Sequence, residues 1–243
     1  MPAPVLLVHG FASSFERNWR EPGWVDLLCD AGREVIGADL LGHGSAAKPH
    51  DPAAYVDLES HLTTLLPPDG PVDAIGFSLG ARLLLTVAAA RPDAFGRVVV
   101  GGVGESVLRD DDVEIVARAI EGTAAGGSVS ASESGSGSAA DPPQSNLARA
   151  FARFAGTPGN DPLALAACLR RPVAPLTSQE LARVRVPVLV VLGDQDFAGP
   201  AQPLLDALPD ATLVVLEGVD HLATPMSFGF IDAALGFLGA LPT

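Results

Sequence analysis

The amino-acid sequence predicts an α/β fold in which a mostly parallel, doubly wound sheet of about six strands carries a helical lid insertion. Two observations predict it. Short apolar runs alternate with helical patterns along residues 1–104 and again along 181–243, the order typical of βαβ units and a parallel sheet. Residues 105–180 contain helical patterns but no strand pattern. We therefore predict one core, formed by 1–104 and 181–243, and a lid at 105–180.

The spacing of the apolar residues defines the individual elements. Short runs rich in apolar residues, typical of buried strands, lie at 5–8, 34–38, 72–77, 97–101, 186–192 and 211–216. Apolar residues at helical spacing lie at 18–30, 52–66, 79–90, 110–121, 146–154, 161–171 and 225–241. The stretch 122–145 is rich in Gly, Ser and Ala and has no aromatic residue, so we predict a flexible tract there.

A Gly-x-Ser-x-Gly motif joins the third strand to the helix that follows it. Gly76 and Gly80 flank Ser78, and without Cβ atoms they allow the strand and the helix to approach closely. Strand, tight turn and helix in this order form a nucleophile elbow, which holds a serine hydroxyl clear of the sheet. The sequence therefore predicts Ser78 as a nucleophile.

Suitable partners for a serine nucleophile follow later strands. A serine needs a base to take its proton, and the base needs a carboxylate that orients it. His221 follows the last strand, and Asp194 and Asp196 follow the strand before it. The backbone N–H groups of Phe11, just after the first strand, and Leu79, after the serine, are candidate oxyanion-hole donors. His9 is predicted to tie the Phe11 loop to the sheet.

Taken together, the motifs resemble those of the α/β-hydrolase fold superfamily, in its serine-nucleophile, esterase-like branch. Five motifs match that family's pattern, in the same order along the chain. They are His-Gly-Phe at 9–11, Asp-Leu-Leu-Gly-His-Gly-Ser at 39–45, the elbow at 76–80, Gly-Asp-Gln-Asp at 193–196 and Asp-His at 220–221. The resemblance covers the chain outside roughly 105–180. It implies that Asp196 is the triad acid, with Asp194 as the fallback. It also implies hydrolysis of a carboxylic ester or thioester through an acyl-enzyme.

Two alternatives remain open from the sequence. The elbow Gly-Phe-Ser-Leu-Gly-Ala-Arg is similar to that of the menaquinone-pathway synthase that eliminates pyruvate. That likeness implies that Arg82 binds a substrate carboxylate, whereas an ion pair on the elbow helix is the simpler interpretation of Arg82. A non-catalytic receptor for a small ligand on the same fold is the third hypothesis.

The composition of the chain indicates which binding partners and which cellular location to expect. The chain has 15 Lys and Arg against 29 Asp and Glu, a net charge of −14, so we expect no attraction to nucleic acid or anionic membranes. Cys29 and Cys168 are predicted to be buried free thiols. The N-terminus has no basic signal region and no apolar run reaches spanning length, which predicts a cytoplasmic protein. We expect a small-molecule acyl substrate and no metal or organic cofactor; the sequence predicts no oligomeric state.

Overall fold

The computed structural model describes residues 2–68, 70–110, 113–124 and 143–241. The chain forms two compact units. The first contains Met1–Leu40, Asp57–Asp110 and Ala174–Thr243, and the second contains Leu41–Val56 and Asp111–Val173. Of the tract predicted to be flexible, 122–124 end one helix and 143–145 begin another, while 125–142 lie outside the described residues.

The first unit is built on a six-stranded sheet in which all described neighbours pair in parallel. The strands are β1 (Val5–Val8), β2 (Val35–Gly37), β3 (Val72–Phe77), β4 (Phe95–Gly101), β5 (Val188–Gly193) and β6 (Ala211–Leu216). Their order across the sheet is β2-β1-β3-β4-β5-β6. The predicted fold class is therefore confirmed. Because all six strands run the same way, the loops after them share one edge of the sheet.

Helices connect the strands and form the second unit. The α-helices are α1 (Trp24–Asp30), α2 (Leu58–Thr64), α3 (Leu79–Ala90), α4 (Glu114–Ala124), α5 (Pro143–Ala155), α6 (Pro162–Leu169), α7 (Ser178–Leu181), α8 (Gln202–Ala207) and α9 (Phe228–Leu238). A π-helix spans Glu16–Arg20, and 3-10 turns span Pro52–Tyr55, Pro92–Ala94, Glu105–Leu108 and Thr224–Met226.

Two predicted helices are each divided into two pieces. The helix predicted at 18–30 consists of the π-helix and α1, separated at Gly23, whose φ of 90° no helix accommodates. The helix predicted at 52–66 begins as a 3-10 turn and resumes as α2 after Asp57 (φ −126°). The helical spacing of apolar residues predicts that such a stretch is helical, but it does not locate an interruption inside the stretch.

One apolar cluster of the first unit packs α1 and α9 against the sheet. Within it, Trp24 is in edge-to-face contact with Trp19 and Phe230, at 5.3 and 4.9 Å between ring centroids. These contacts hold α1 and α9 together on the core formed with β1, β3 and β5. Each such aromatic pair contributes about 0.5–1.5 kcal/mol beyond the area it buries.

The two cysteines differ in burial. Cys168 is buried in α6, as predicted, but Cys29 is exposed on α1, so its predicted burial is wrong. Trp24, Val25 and Leu28 are the residues of α1 that lie in the core. Cys29, about 100° around the helix from Leu28, falls outside that face. Both thiols are free.

The second unit is held together partly by charge. Arg170 at the end of α6 pairs with Glu114 and Glu121, which lie two turns apart on α4. These contacts lower the pKa of Glu114 to about 2 and also lower the pKa of Glu121. None of the helices among the described residues is long and apolar enough to cross a bilayer.

Candidate active site

Ser78 lies at a sharp bend between β3 and α3. Its φ of 51° and ψ of −110° are unusual for a residue with a side chain, and its amide donates to the carbonyl of Gly101 on β4 at 2.8 Å. The flanking glycines are required by close packing. A Cβ on Gly76 would lie 2.7 Å from the Ala81 nitrogen, and a Cβ on Gly80 would lie 2.2 Å from the Val8 oxygen.

The Ser78 hydroxyl is hydrogen-bonded to His221, which is hydrogen-bonded to Asp196. Ser78 Oγ lies 2.9 Å from His221 Nε2, and His221 Nδ1 lies 2.9 Å from both carboxylate oxygens of Asp196. Because an ionised carboxylate only accepts, Nδ1 carries the hydrogen and Nε2 is left to accept from Ser78. The side chains of His221 and Asp196 are almost completely buried.

The loops after β5 and β6 pack against each other, and this contact positions Asp196 and His221. The amide of Asp194 donates to the Leu216 carbonyl at the end of β6, and the amide of Gln195 donates to the Val219 carbonyl. A Cβ on Gly193 would lie 2.0 Å from that Val219 oxygen, so the two loops pass in direct contact.

Asp196 and Asp194 have different partners. The Asp194 carboxylate accepts from the Gly218 amide at 2.8 Å and is exposed, whereas Asp196 faces His221. Both positions carry the same side chain on one turn, so residue type alone does not separate them, and the preference for Asp196 came from the family resemblance.

The candidate oxyanion donors follow neighbouring strands at matching positions. Val8 of β1 pairs with Gly76 of β3, so Phe11 and Leu79 each lie three residues beyond a paired position. His9, which directly follows β1, is fully buried. It accepts from the Leu40 amide through Nε2 at 2.9 Å, and its Nδ1 donates to the Gly10 carbonyl at 2.8 Å. Burial lowers the pKa of His9.

These bonds orient the peptide between Gly10 and Phe11. The carbonyl and N–H of a trans peptide point in opposite directions, so anchoring the Gly10 oxygen on His9 turns the Phe11 N–H away from the His9 ring. The Gly10 amide is held in turn by the side-chain oxygen of Asn18 at 2.8 Å. The two hydrogen bonds of the His9 ring thus join the Phe11 loop to the loop after β2, whereas the sequence predicted a tie between the Phe11 loop and the sheet.

Two aromatic side chains pack against the His221 ring. Phe77 and Phe197 lie 4.9 and 4.2 Å from it between ring centroids. The sequence alone did not identify either phenylalanine as a site residue. Each is the immediate neighbour of a predicted site residue, Ser78 or Asp196, and that adjacency is the one signal that pointed to them.

Arg82, one turn after Ser78 on α3, is directed at main-chain carbonyls. Its guanidinium donates to the Val107 carbonyl at 3.3 Å and to the Ala174 carbonyl at 2.5 Å. The Leu176 amide also donates to Val107. Arg82 therefore ties together two chain segments that are far apart in sequence.

This arrangement of side chains supports nucleophilic chemistry. A hydroxyl, an imidazole and a carboxylate in one hydrogen-bonded row can generate an alkoxide-like nucleophile. The N-terminus of α3 adds a positive field where an oxyanion would form.

Comparison with known proteins agrees with the fold. The sequence profile of a family described as the alpha/beta hydrolase family matches residues 5–231. A carboxylesterase structure from Nitrososphaera gargenis has a TM-score of 0.71 at 23% identity, covering 98% of this chain and 90% of that one. The bromoperoxidase of Bacillus anthracis has a TM-score of 0.69 at 22% identity, covering 98% and 92%.

A sequence relative is the mouse (Mus musculus) protein named sn-1-specific diacylglycerol lipase ABHD11. It is 34% identical to this chain over 103 residues. The match spans 41% of this chain and about a third (32%) of the mouse protein.

Proposed function

The chain belongs to the alpha/beta hydrolase family, and from this premise we propose that it is a serine hydrolase which cleaves a carboxylic ester or thioester of a small molecule. Ser78 is the nucleophile, His221 the general base and acid, and Asp196 the orienting carboxylate. The amides of Phe11 and Leu79 form the oxyanion hole.

In the first half-reaction, Ser78 Oγ bonds to the substrate carbonyl carbon while its proton passes to His221 Nε2. The carbonyl oxygen takes the electron pair and is held by the two amides. When the adduct collapses, the bond to the leaving oxygen or sulfur breaks and His221 returns the proton to that atom. An acyl group remains on Ser78.

In the second half-reaction, water replaces the alcohol or thiol. His221 removes a proton from water as its oxygen attacks the acyl carbon, and then protonates Ser78 Oγ as that bond breaks. The balance is one ester and one water converted into one acid and one alcohol. Asp196 stays ionised and stabilises the imidazolium formed in each half.

The observation that carries this proposal is the 2.9 Å contact between Ser78 Oγ and His221 Nε2. These residues are 143 positions apart in the sequence, and their side chains meet with the donor and acceptor roles that general-base catalysis needs. The buried Asp196 behind His221 supports the same assignment.

The contacts of Arg82 favour hydrolysis over pyruvate elimination. Elimination of the menaquinone-pathway type would require Arg82 to bind a substrate carboxylate. Its two terminal nitrogens instead donate to the carbonyls of Val107 and Ala174. A receptor without activity on the same fold would need neither a base nor an orienting acid beside the serine.

Substitution of the proposed nucleophile tests the function. We expect wild type to hydrolyse short p-nitrophenyl esters and to be labelled by a fluorophosphonate probe on Ser78. Ser78→Ala removes the attacking oxygen, so both activities should fall to background. Ser60→Ala, at an exposed serine of α2, is the matched control and should retain both.

Equal rates for wild type and Ser78→Ala would contradict the proposal. Pyruvate release from the carboxylated cyclohexene intermediate, lost on Arg82→Ala, would support elimination instead. Ligand binding without turnover of any ester or of that intermediate would support the receptor hypothesis.

A further inference from the structure

Phe197 combines contact with His221 and exposure to solvent. Its ring centroid lies 4.2 Å from that of the imidazole, with 37° between the planes. The side chain is nevertheless 45% exposed. It follows directly after Asp196, whose carboxylate accepts from Nδ1 of the same imidazole. A large apolar surface is thus presented to solvent immediately beside the proposed general base.

The backbone on both sides of Phe197 is held in place. Before it, the Asp196 amide donates to Gly193 at the end of β5. After it, the Ala198 amide donates to the Asp196 carboxylate at 2.8 Å, closing an Asx turn around Phe197. The Ala198 carbonyl accepts from Ser106 at 3.1 Å. The position of this ring is therefore set by the same turn that positions Asp196.

Phe77, the other ring on His221, is in a different environment. It is buried, and a Cβ added to Gly10 or Gly102 would lie 2.7 or 2.5 Å from its ring atoms. Phe77 is enclosed by the backbone and serves to pack the imidazole. Of the two phenylalanine rings that contact His221, Phe197 is the one with an exposed surface against which a ligand can pack.

We propose that Phe197 forms the wall against which the leaving group of the substrate packs, and that the enzyme therefore prefers esters and thioesters of bulky apolar alcohols and thiols. This inference rests on the proposed function. His221 Nε2 must give its proton to the leaving atom, so that atom comes within about 3 Å of the imidazole. The carbon atoms attached to the leaving atom then lie beside the ring that covers the imidazole.

Two esters with the same acyl group test this preference. Benzyl acetate and ethyl acetate form the same acetyl-enzyme and differ only in the alcohol released, so kcat/KM isolates the step in which Phe197 acts. We expect Phe197→Ala to lower kcat/KM for benzyl acetate by roughly 2- to 12-fold more than for ethyl acetate, the range of an aromatic contact. Phe197→Tyr keeps the ring and should keep the wild-type ratio.

Phe228→Ala is the matched control. Phe228 is 87% exposed at the start of α9, and its removal should leave both kcat/KM values unchanged. Phe197→Leu is the second variant should Phe197→Ala not fold. It should show a smaller loss in the same direction, because it keeps apolar volume without an aromatic face.

The outcomes separate this inference from the proposed function. Labelling of Ser78 by the fluorophosphonate with an unchanged benzyl-to-ethyl ratio in the Phe197 variants would overturn the inference alone. Equal losses for both esters would mean that Phe197 only supports His221, and would overturn it too. If wild type is not labelled at Ser78, the proposed function and this inference fall together.

Discussion

Ser78 and Ala12 are the residues with side chains that adopt positive φ in the described part of the chain, at 51° and 57°. Each follows the end of a strand, β3 or β1, and these strands are neighbours in the sheet. Such conformations cost on the order of 1–3 kcal/mol each and persist where surrounding packing fixes them. Here they lie on the two turns that we propose to carry the nucleophile and one oxyanion donor.

The clearest residue-scale prediction compares two aspartates of one turn. Asp196→Asn leaves His221 without a carboxylate to orient it and stabilise its charged form, so kcat for p-nitrophenyl acetate should fall on the order of ten-thousand-fold. Asp194→Asn changes an exposed side chain that accepts a hydrogen bond from the Gly218 amide, so kcat should stay within about twofold and stability within about 1 kcal/mol. Steady-state kinetics on both variants measure these changes in kcat. A large loss in Asp194→Asn with little loss in Asp196→Asn would instead identify Asp194 as the orienting acid.

At the scale of elements, helix α3 is constrained at two successive turns. Its first turn is pressed against the end of β1, where the Val8 and His9 carbonyls lie within 2.7 Å of where a Cβ on Gly80 would be. Farther along α3, the Arg82 guanidinium donates to the segments around Val107 and Ala174. The helix is thus joined to the sheet at its start and to two loops one turn later, which fixes Ser78 from both sides.

Alanine substitution at two helical glycines tests this constraint. Gly80→Ala inserts a Cβ against rigid backbone, so it should lower the free energy of unfolding by about 1–3 kcal/mol or more and reduce labelling of Ser78. Gly122→Ala, on α4, adds a Cβ with nothing within 4 Å and should stabilise by up to about 1 kcal/mol. Urea unfolding of both variants measures the difference, and similar values for the two would show that α3 can shift away from β1.

At the scale of the whole molecule, buried and paired ionisable groups predict a limited pH range of stability. Burial lowers the pKa of His9 below its usual 6.5, and Arg170 lowers the pKa of Glu114 from 4.5 to about 2. Burial raises the pKa of the Cys168 thiol from 9.0 to about 11 and also raises the pKa of Tyr55. The folded chain therefore resists protonation of His9 and Glu114, and it resists ionisation of Cys168 and Tyr55.

The sign of each contribution follows from linkage. Below pH 6.5 the unfolded chain protonates at His9 before the folded chain does, and below pH 4.5 the same holds at Glu114, so stability falls as the pH falls. Above pH 9 the unfolded chain ionises at Cys168 first, so stability falls as the pH rises.

We therefore expect the free energy of unfolding to be greatest between about pH 6.5 and 9. Urea unfolding across pH 4–10 measures it. Added salt should weaken the contribution to stability of the partly exposed Arg170 ion pairs, while leaving the contributions of His9 and Cys168 unchanged. Stability that rises steadily down to pH 5 would contradict the assignment.

The sequence by itself determined the class of fold and the residues at the bend. Strand runs, helical spacing and Gly-x-Ser-x-Gly are local patterns, and local patterns follow from the backbone preferences of neighbouring residues. The six strands and the position of Ser78 at the end of β3 accordingly agree with the prediction. The identity of Phe11 and Leu79 as oxyanion donors stays a prediction, as does the role of 105–180 as a lid.

Which side chains meet, in contrast, depends on the tertiary structure. That Asp196 rather than Asp194 faces His221, that Phe197 covers the imidazole, and that Arg82 is directed at carbonyls depend on how distant segments pack. The exposure of Cys29 is likewise a matter of which face of a two-turn helix meets the core. Such outcomes are set by packing between segments that are remote along the chain, and no local sequence pattern encodes those distances.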